Sequence, residues 1–392
     1  MTMAHTVCHI ITKLELGGAQ QNTLFTVSHL DPAKFRPVLI TGEPGLLDDE
    51  ARKLAGVEFH QIPSLVRGIR PLSDLRALLA LAWLLRRIKP AIVHTHSSKA
   101  GILGRAAAWL AGVPVIIHTI HGFGFTRYQR AIVSRAFIAL ERLAAKVTTR
   151  FFAVSDVNRQ LGVEIGLFPE SRCAVIRSGV DVVTIQRLEV DTTAKKRELG
   201  LEPGRPVVGM VAPMKPQKAP MDFVRVAARV AKKKPETQFL FVGDGELRQD
   251  MEAEIVRLDL AKSFRLAGWR RDVPAIMRCL DVFVLTSLWE GLPRVYLEAL
   301  ASGVPVVGTR VDGAAEVVRD GINGYLLAPG DVQGLAERVL ALLANPTLAA
   351  DMGRRGESLP PEFDIHDMVR RHEQEYERLL ARIVHEGSSR NR

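Results

Sequence analysis

Short apolar runs rich in Val, Ile and Phe alternate along this chain with longer stretches in which apolar residues recur every three or four positions. The first half offers the runs TVCHIIT, RPVLIT, AIVHTH, PVIIHTI, RFFAVS and RCAVIRSG; the second offers PVVGMVA, QFLFVG, SFRLAG, DVFVLTS and VPVVGT. Such runs are mostly apolar, without the strict alternation of a half-exposed strand, so they predict strands buried on both faces. That is the pattern of a parallel sheet covered by helices, and it occurs twice.

Between the two series lies VDVVTIQRLEVDTTAKKRELGLEPGRP, polar and without strand periodicity. A domain boundary is expected here, with one α/β domain over 1–185 and a second over 186–365. The last segment, 366–392, carries Val369, Tyr376, Leu379, Leu380 and Ile383 as one helical stripe, followed by HEGSSRNR, which reads as a disordered tail. Doubly wound sheets bind ligands beyond the carboxyl ends of their strands, so chemistry is sought in the loops after each strand. Two such domains facing each other would form a cleft.

With 392 residues, 47% of them hydrophobic and 24% charged, the chain suffices for two ordinary soluble domains. Cys8, Cys173 and Cys279 are odd in number and widely spaced, which suggests neither a disulfide framework nor a zinc site and fits a reducing cytoplasm. MTMAHTVCHIITKLEL lacks the order of a signal peptide. The longest apolar run, ALLALAWLL, falls short of the roughly 20 residues that a membrane-spanning helix needs. A formal charge of +10 implies anionic company, whether nucleotide phosphates, an acidic membrane surface or nucleic acid.

Within TSLWEGLPRVYLEALASGVPVVGT, Glu290 and Glu298 interrupt a segment otherwise built from Leu, Val, Ala, Gly and Pro. DVFVLTS reads as a buried strand, Pro293 suits the first turn of a helix and Gly303 its end, so Glu290 precedes the helix and Glu298 projects from its second turn. A helix start offers free N–H groups and partial positive charge to phosphate oxygens, and carboxylates accept from hydroxyls. Phosphate between two polyols is a nucleotide sugar. The plainer alternative is that Glu290 caps the helix and Glu298 is a solvated residue.

With LWEGLP, ASGVPVV and the following GAAEVVRDGINGYLLAPGD, the spaced glutamates resemble the family 4 retaining glycosyltransferases of the GT-B fold, over nearly the whole chain. The resemblance implies two facing Rossmann-like, doubly wound parallel-sheet domains with a cleft between them, the last helix crossing back to the first domain. It implies that Glu290 faces the donor sugar near its reacting end, that Glu298 holds the ribose hydroxyls, and that the backbone of Gly291, Leu292, Pro293 and Val295 approaches sugar and diphosphate. A His before GF, here His121, would line the sugar site.

Other loops fit the same picture. Gly17 and Gly18 follow the first strand and open a helix; they read as a tight turn or as a backbone approach to diphosphate, which the family's paired glycines favour. No G-x-G-x-x-G is present, which counts against a dehydrogenase-type nucleotide site. Lys215 and Lys218 follow the first strand of the second domain, where ammonium groups can neutralise a leaving diphosphate. Lys218 matches the family's Lys, but Ala212 or Pro213 stands where its Arg is expected. Gly243, with Asp244, Gly245 and Glu246, and Gly268 with Trp269 resemble the loops around the nucleotide base; a plain helix start is the alternative.

His94, His96, His118 and His121 cluster near strand ends, but no Asp or Glu accompanies them at ligand spacing, so no metal is expected and no cofactor beyond the nucleotide sugar as co-substrate. His94 and His96 read as structural or acceptor-side residues, and His118 equally as a satisfied strand-end residue. The basic, amphipathic segment 127–150, with Ile132, Val133, Phe137, Leu140 and Leu143, is a candidate for peripheral contact with the inner face of a membrane, or an ordinary packed helix. With these features, the family resemblance implies a cytoplasmic, metal-independent transferase moving sugar from a uridine- or guanosine-diphosphate sugar to a glycan or lipid-linked acceptor in cell-surface polysaccharide biosynthesis. A sugar-nucleotide epimerase or hydrolase on the same fold is the nearest alternative. A basic nucleic-acid-binding protein is disfavoured, because aromatics make up 6% and lie mostly inside apolar runs.

Overall fold

The computed structural model describes residues 4–126 and 128–390. By internal contacts the chain forms two compact units, Met1–Gly179 with Ile365–Arg392, and Val180–Asp364. The division falls between Gly179 and Val180, and the polar stretch after it forms two short helices of the second unit.

The first unit runs β1 (His5–Ile11), α1 (Gly18–His29), β2 (Phe35–Thr41), α2 (Asp48–Arg52), β3 (Glu58–Gln61), α3 (Pro71–Ile88), β4 (Ile92–His96), α4 (Ser98–Leu110), β5 (Val115–Ile120), α5 (Ala131–Ala145), β6 (Arg150–Ala153), α6 (Asp156–Glu164) and β7 (Cys173–Val175). The second runs α7 (Val182–Arg187), α8 (Thr192–Glu198), β8 (Val207–Val211), α9 (Pro220–Lys233), β9 (Gln238–Val242), α10 (Arg248–Arg257), β10 (Phe264–Leu266), α11 (Val273–Met277), β11 (Val282–Leu285), α12 (Arg294–Ala301), β12 (Val306–Thr309), α13 (Ala314–Val317), β13 (Gly324–Leu327), α14 (Val332–Ala344) and α15 (Pro346–Glu357); α16 (Ile365–Arg390) completes the first unit.

Both sheets are parallel throughout, in the orders β3-β2-β1-β4-β5-β6-β7 and β10-β9-β8-β11-β12-β13. In each, the strand order reverses beside the first strand, the switch point where the neighbouring loops diverge to opposite faces. The central strands β4, β5, β8, β9 and β11 are buried at every residue, including the His and Thr residues of β4 and β5. Two strands escape the apolar-run criterion, β3 and β13, and both lie at sheet edges. Edge strands meet fewer covering helices, so EFHQ retains polar residues and GYLL alternates buried with half-buried positions.

The stripe on α16 packs into the first unit: Ile365, Met368, Val369, Tyr376 and Leu379 join Val7, Phe35, Ile92, Ile117 and Phe152 in one core cluster. The helix continues to Arg390, through most of the tail expected to be disordered. Asn391 and Arg392, and Arg127 of the basic segment, lie outside the described residues. All three cysteines are free and buried, and burial pushes the Cys173 thiol up to about 12, far from reactive thiolate.

Candidate active site

In the second unit the loops after β8, β9 and β11 are laced together at the carboxyl edge of the sheet, and the lacing brings the candidate residues into one place. The Thr286 hydroxyl donates to the carbonyls of Lys218 and Ala219, both at 2.9 Å. Leu288 N donates to the Gln217 carbonyl at 2.8 Å, and Gln217 Nε2 to the Trp289 carbonyl at 3.0 Å. With the loops so tied, Lys218 Nζ closes an ion pair on Glu290 Oε1. Ser287 Oγ donates to the same oxygen at 2.6 Å.

The backbone of Glu290 is clamped as well. Its N–H donates to Asp312 Oδ2 at 2.6 Å, and Gly313 N donates to the Gly291 carbonyl at 3.0 Å. Ala219 and Asp312, with φ of 42° and 36°, hold non-glycine residues in the left-handed region on either side of this cluster. Each such residue costs on the order of 1 kcal/mol, a strain that persists only where surrounding contacts impose it.

Glu290 does not cap α12. Pro293 occupies the cap position, no side chain bonds there, and the first turn holds no acidic residue, so the helix start keeps its positive end. Gly291, Leu292 and Pro293 are buried and lead the chain into that start, with Arg294 and Val295 as its first residues. Glu298 is not solvated either: it is 8% exposed, with Arg294 Nη2 3.5 Å from its Oε1. Burial raises its carboxyl pKa above the ordinary value, and the Arg294 guanidinium draws it part of the way back.

The loops after β9 and β10 meet the same hub. Gly243 N donates to the Gly268 carbonyl at 2.8 Å, and Met214 N to the Asp244 carbonyl at 2.9 Å. Gly243 has φ of 134°, and a Cβ there would lie 2.0 Å from the Ala212 carbonyl oxygen, so only glycine fits. Trp269 is 37% exposed beside Gly268. Lys215 opens the turn that ends in Lys218. Ala212, where an Arg is expected, is buried with its N–H bonded to the Val242 carbonyl at 3.0 Å. The sequence reading misses Ser287, Asp312 and Arg294. Asp312 stands one residue before the GAAE motif, in a loop after a strand, which is the signal that could have found it.

Gly17, Gly18 and His121 belong to the first unit. Gly17 and Gly18 form the uncapped start of α1. His121 follows β5, and its Nε2 lies 3.0 Å from His96 Nδ1. His94 bonds the Tyr376 hydroxyl and Thr119 Oγ1, both at 2.6 Å. His118 points to the opposite face, to Thr95 Oγ1 at 2.9 Å, against Gly101 of α4. A small cavity there is lined by Ser97, Ser98, His118, His121, Phe123 and Glu141.

His9 joins the group from β1, and among the described residues His9, His94 and His96 have nitrogens close enough to share a metal ion. Each of these rings has both nitrogens bonded to neighbours within the cluster, so the arrangement fits a hydrogen-bonded chain.

Two parallel α/β units, with a carboxylate, an ammonium group and an open helix start at the sheet edge of the second, make up the architecture. The family model of the glycosyl transferases group 1 matches residues 205–345, and the glycosyl transferase 4-like domain matches 17–179. The chain is 34% identical over 345 residues to the UDP-Gal:alpha-D-GlcNAc-diphosphoundecaprenol alpha-1,3-galactosyltransferase of Escherichia coli, covering 87% of this chain and 89% of that one. It is 30% identical to the 2-deoxystreptamine glucosyltransferase of Streptomyces kanamyceticus, covering 88% and 94%. Its fold matches HepE of Anabaena in complex with UDP-glucose with a TM-score of 0.79 at 20% identity, over 96% and 99% of the two chains. The chain belongs to the group 1 glycosyltransferases of the GT-B fold and is a glycosyltransferase.

Proposed function

We propose that the protein transfers a sugar, with retention, from a uridine- or guanosine-diphosphate sugar to a glycan or lipid-linked acceptor in cell-surface polysaccharide biosynthesis. The observation that carries this reading is the cluster of Lys218, Glu290 and Glu298 around the uncapped start of α12. Lys218, with Lys215 and the N–H groups of α12, would receive the diphosphate; Glu290 would take the sugar hydroxyls and Glu298 the ribose. Arg294 would supply the guanidinium that Ala212 or Pro213 lacks. The reaction named for the Escherichia coli relative favours uridine diphosphate and a polyprenyl-diphosphate-linked acceptor.

Retention follows if the acceptor oxygen attacks the anomeric carbon on the face the leaving group vacates. The bond from that carbon to the β-phosphate oxygen breaks as the new bond forms, and the departing oxygen takes the acceptor proton. No residue need act as nucleophile and no metal need bridge the phosphates, because cations and the helix start carry the developing charge. His121 is assigned to the transfer step, and Gly17 and Gly18 to the diphosphate.

Among the described residues no helix is long and apolar enough to cross a membrane. Peripheral docking is supported by α5, which exposes Ile132, Val133, Leu140 and Leu143 beside Arg135 and Arg142 instead of packing them, by its neighbour α4, which exposes Trp109, and by α3, packed on α4, which exposes Leu72, Leu75, Leu79 and Trp83. Sedimentation with anionic but not neutral vesicles is the expected result.

Screening nucleotide sugars for thermal stabilisation tests the donor assignment, since a bound donor stabilises by mass action. A uridine- or guanosine-diphosphate sugar should stabilise, and its turnover should require acceptor. Consumption without acceptor would establish a hydrolase or epimerase instead. Once the donor is identified, His121→Ala should mainly lower kcat.

A further inference from the structure

A chain of neutral imidazoles runs through the first unit and ends on His121. Its existence follows from strand order: β1 and β4 are parallel neighbours with His9 opposite His94, so these side chains share one face, and His96 lies two residues on, on that face again. His118, on β5, is paired with Thr95 and projects to the other face. α16 covers the histidine face and lowers Tyr376 onto it.

The contacts are consecutive. His121 Nε2 meets His96 Nδ1 at 3.0 Å, and His96 Nε2 meets His9 Nδ1 at 3.0 Å. His9 Nε2 lies 3.4 Å from the Tyr376 hydroxyl, which is 2.6 Å from His94 Nδ1; His94 Nε2 is 2.6 Å from Thr119 Oγ1. His9, His94, His96 and Tyr376 are at most 3% exposed. Burial, with the repulsion of neighbouring histidines, keeps the three rings neutral.

A neutral imidazole carries one N–H and one lone pair. In a run joined nitrogen to nitrogen, each bond needs one donor and one acceptor, so the proton position at one end dictates every ring to the other. Tyr376 has a single proton for two imidazole nitrogens, and its 2.6 Å contact to His94 lies within the range of an O–H donor whereas its 3.4 Å contact to His9 lies beyond it. It therefore donates to His94 Nδ1, and His94 Nε2–H donates to Thr119. His9 Nε2–H then donates to the Tyr376 oxygen, His96 Nε2–H to His9, and His121 Nε2–H to His96.

We infer that Tyr376, His9 and His96 are positioning residues that hold His121 as its Nε2–H tautomer and so present Nδ1 as a hydrogen-bond acceptor, suited to a sugar hydroxyl. The link to the sugar rests on the assignment of His121 to the transfer step; the tautomer does not. Reversing the chain would turn Nδ1 into a donor, for which a hydroxyl would have to offer its oxygen.

The test is nitrogen NMR of the full chain labelled at histidine, near pH 7.5 and without substrate, with His121 assigned by loss of its signals in His121→Gln. A protonated Nε2 and lone-pair Nδ1 at His121 are expected; a protonated Nδ1 overturns the inference. Tyr376→Phe keeps the ring but removes the hydroxyl that orders the chain, and His96→Phe cuts it. In both, His121 should become a mixture of tautomers, and kcat should fall about tenfold or more with donor KM little changed. His96→Gln, whose amide can donate and accept, should restore part of kcat. An unchanged tautomer in both cut variants overturns the inference even if turnover falls. A changed tautomer with undiminished turnover supports the chain and removes His121 from the transfer step instead.

Discussion

Lys218 and Glu290, 72 residues apart, form an ion pair between the loops that follow β8 and β11, strands adjacent in the sheet. Both side chains are mostly buried, at 16% and 9% exposure. The pair places a cation and an acceptor side by side at the open start of α12, so each group restrains the position of the other.

Breaking the pair from either side should hurt both function and fold. Lys218→Ala leaves Glu290 without its main partner, and a loss of about 1 to 3 kcal/mol in stability is expected. Its kcat/KM should fall about a hundredfold or more through lost stabilisation of the leaving diphosphate. Glu290→Gln should be less destabilising, because Ser287 can still donate to the amide oxygen. Urea unfolding and steady-state kinetics measure the two effects, and equal kinetics for Lys218→Ala and the wild type would remove Lys218 from the site.

Glu298 should trade stability against affinity. Its carboxyl pKa is raised by burial, so the native state binds the proton more readily than the unfolded chain, and the cost of ionising it appears as pH rises above 4.5. Glu298→Gln should therefore be neutral or about 1 kcal/mol more stable near pH 7. The same change should weaken nucleotide-sugar binding about tenfold or more, a charge-assisted hydrogen bond being lost. Thermal melts with and without donor separate the two, and unchanged donor affinity would count against a ribose role.

Acid should unfold the first unit early. Burial lowers His9 to about 3 and His372 to about 4, from an ordinary 6.5. The unfolded chain takes up these protons below pH 6.5 and the native state does not, so their contribution is complete above 6.5 and is lost as pH falls toward 4. Each group adds about 1.4 kcal/mol per pH unit in that window, and the two together about 3. Urea midpoints at pH 7.5, 6 and 5 should fall steeply; equal midpoints would show that these rings are not held neutral.

A second buried pair tests the first unit's core. Arg105 is fully buried, with Nη2 2.5 Å from Glu141 Oε2. Glu141→Ala leaves an uncompensated guanidinium and should cost about 3 to 5 kcal/mol, whereas Arg105→Met with Glu141→Leu should recover most of it. Denaturant titration of single and double variants measures the coupling, and additive losses would deny it.

Much of this protein is legible from its residues in order. A strand buried on both faces is mostly apolar, and a helix start accommodates Pro, so the doubly repeated α/β pattern and the placing of Glu290 before α12 and Glu298 within it follow from local chemistry. The burial of Glu298 is not local, and neither are the edge strands β3 and β13, whose polar character reflects a place in the sheet.

What only the tertiary structure decided is partnership across strands. Sequence spacing groups His94, His96, His118 and His121 because they lie near strand ends; sheet order brings in His9 and Tyr376, and side-chain alternation sends His118 to the other face. Likewise Asp312 reaches Glu290 only because β12 lies beside β11. Periodicity along a chain records which face a residue occupies, whereas the identity of its neighbour depends on strand order, which the crossovers set at a distance.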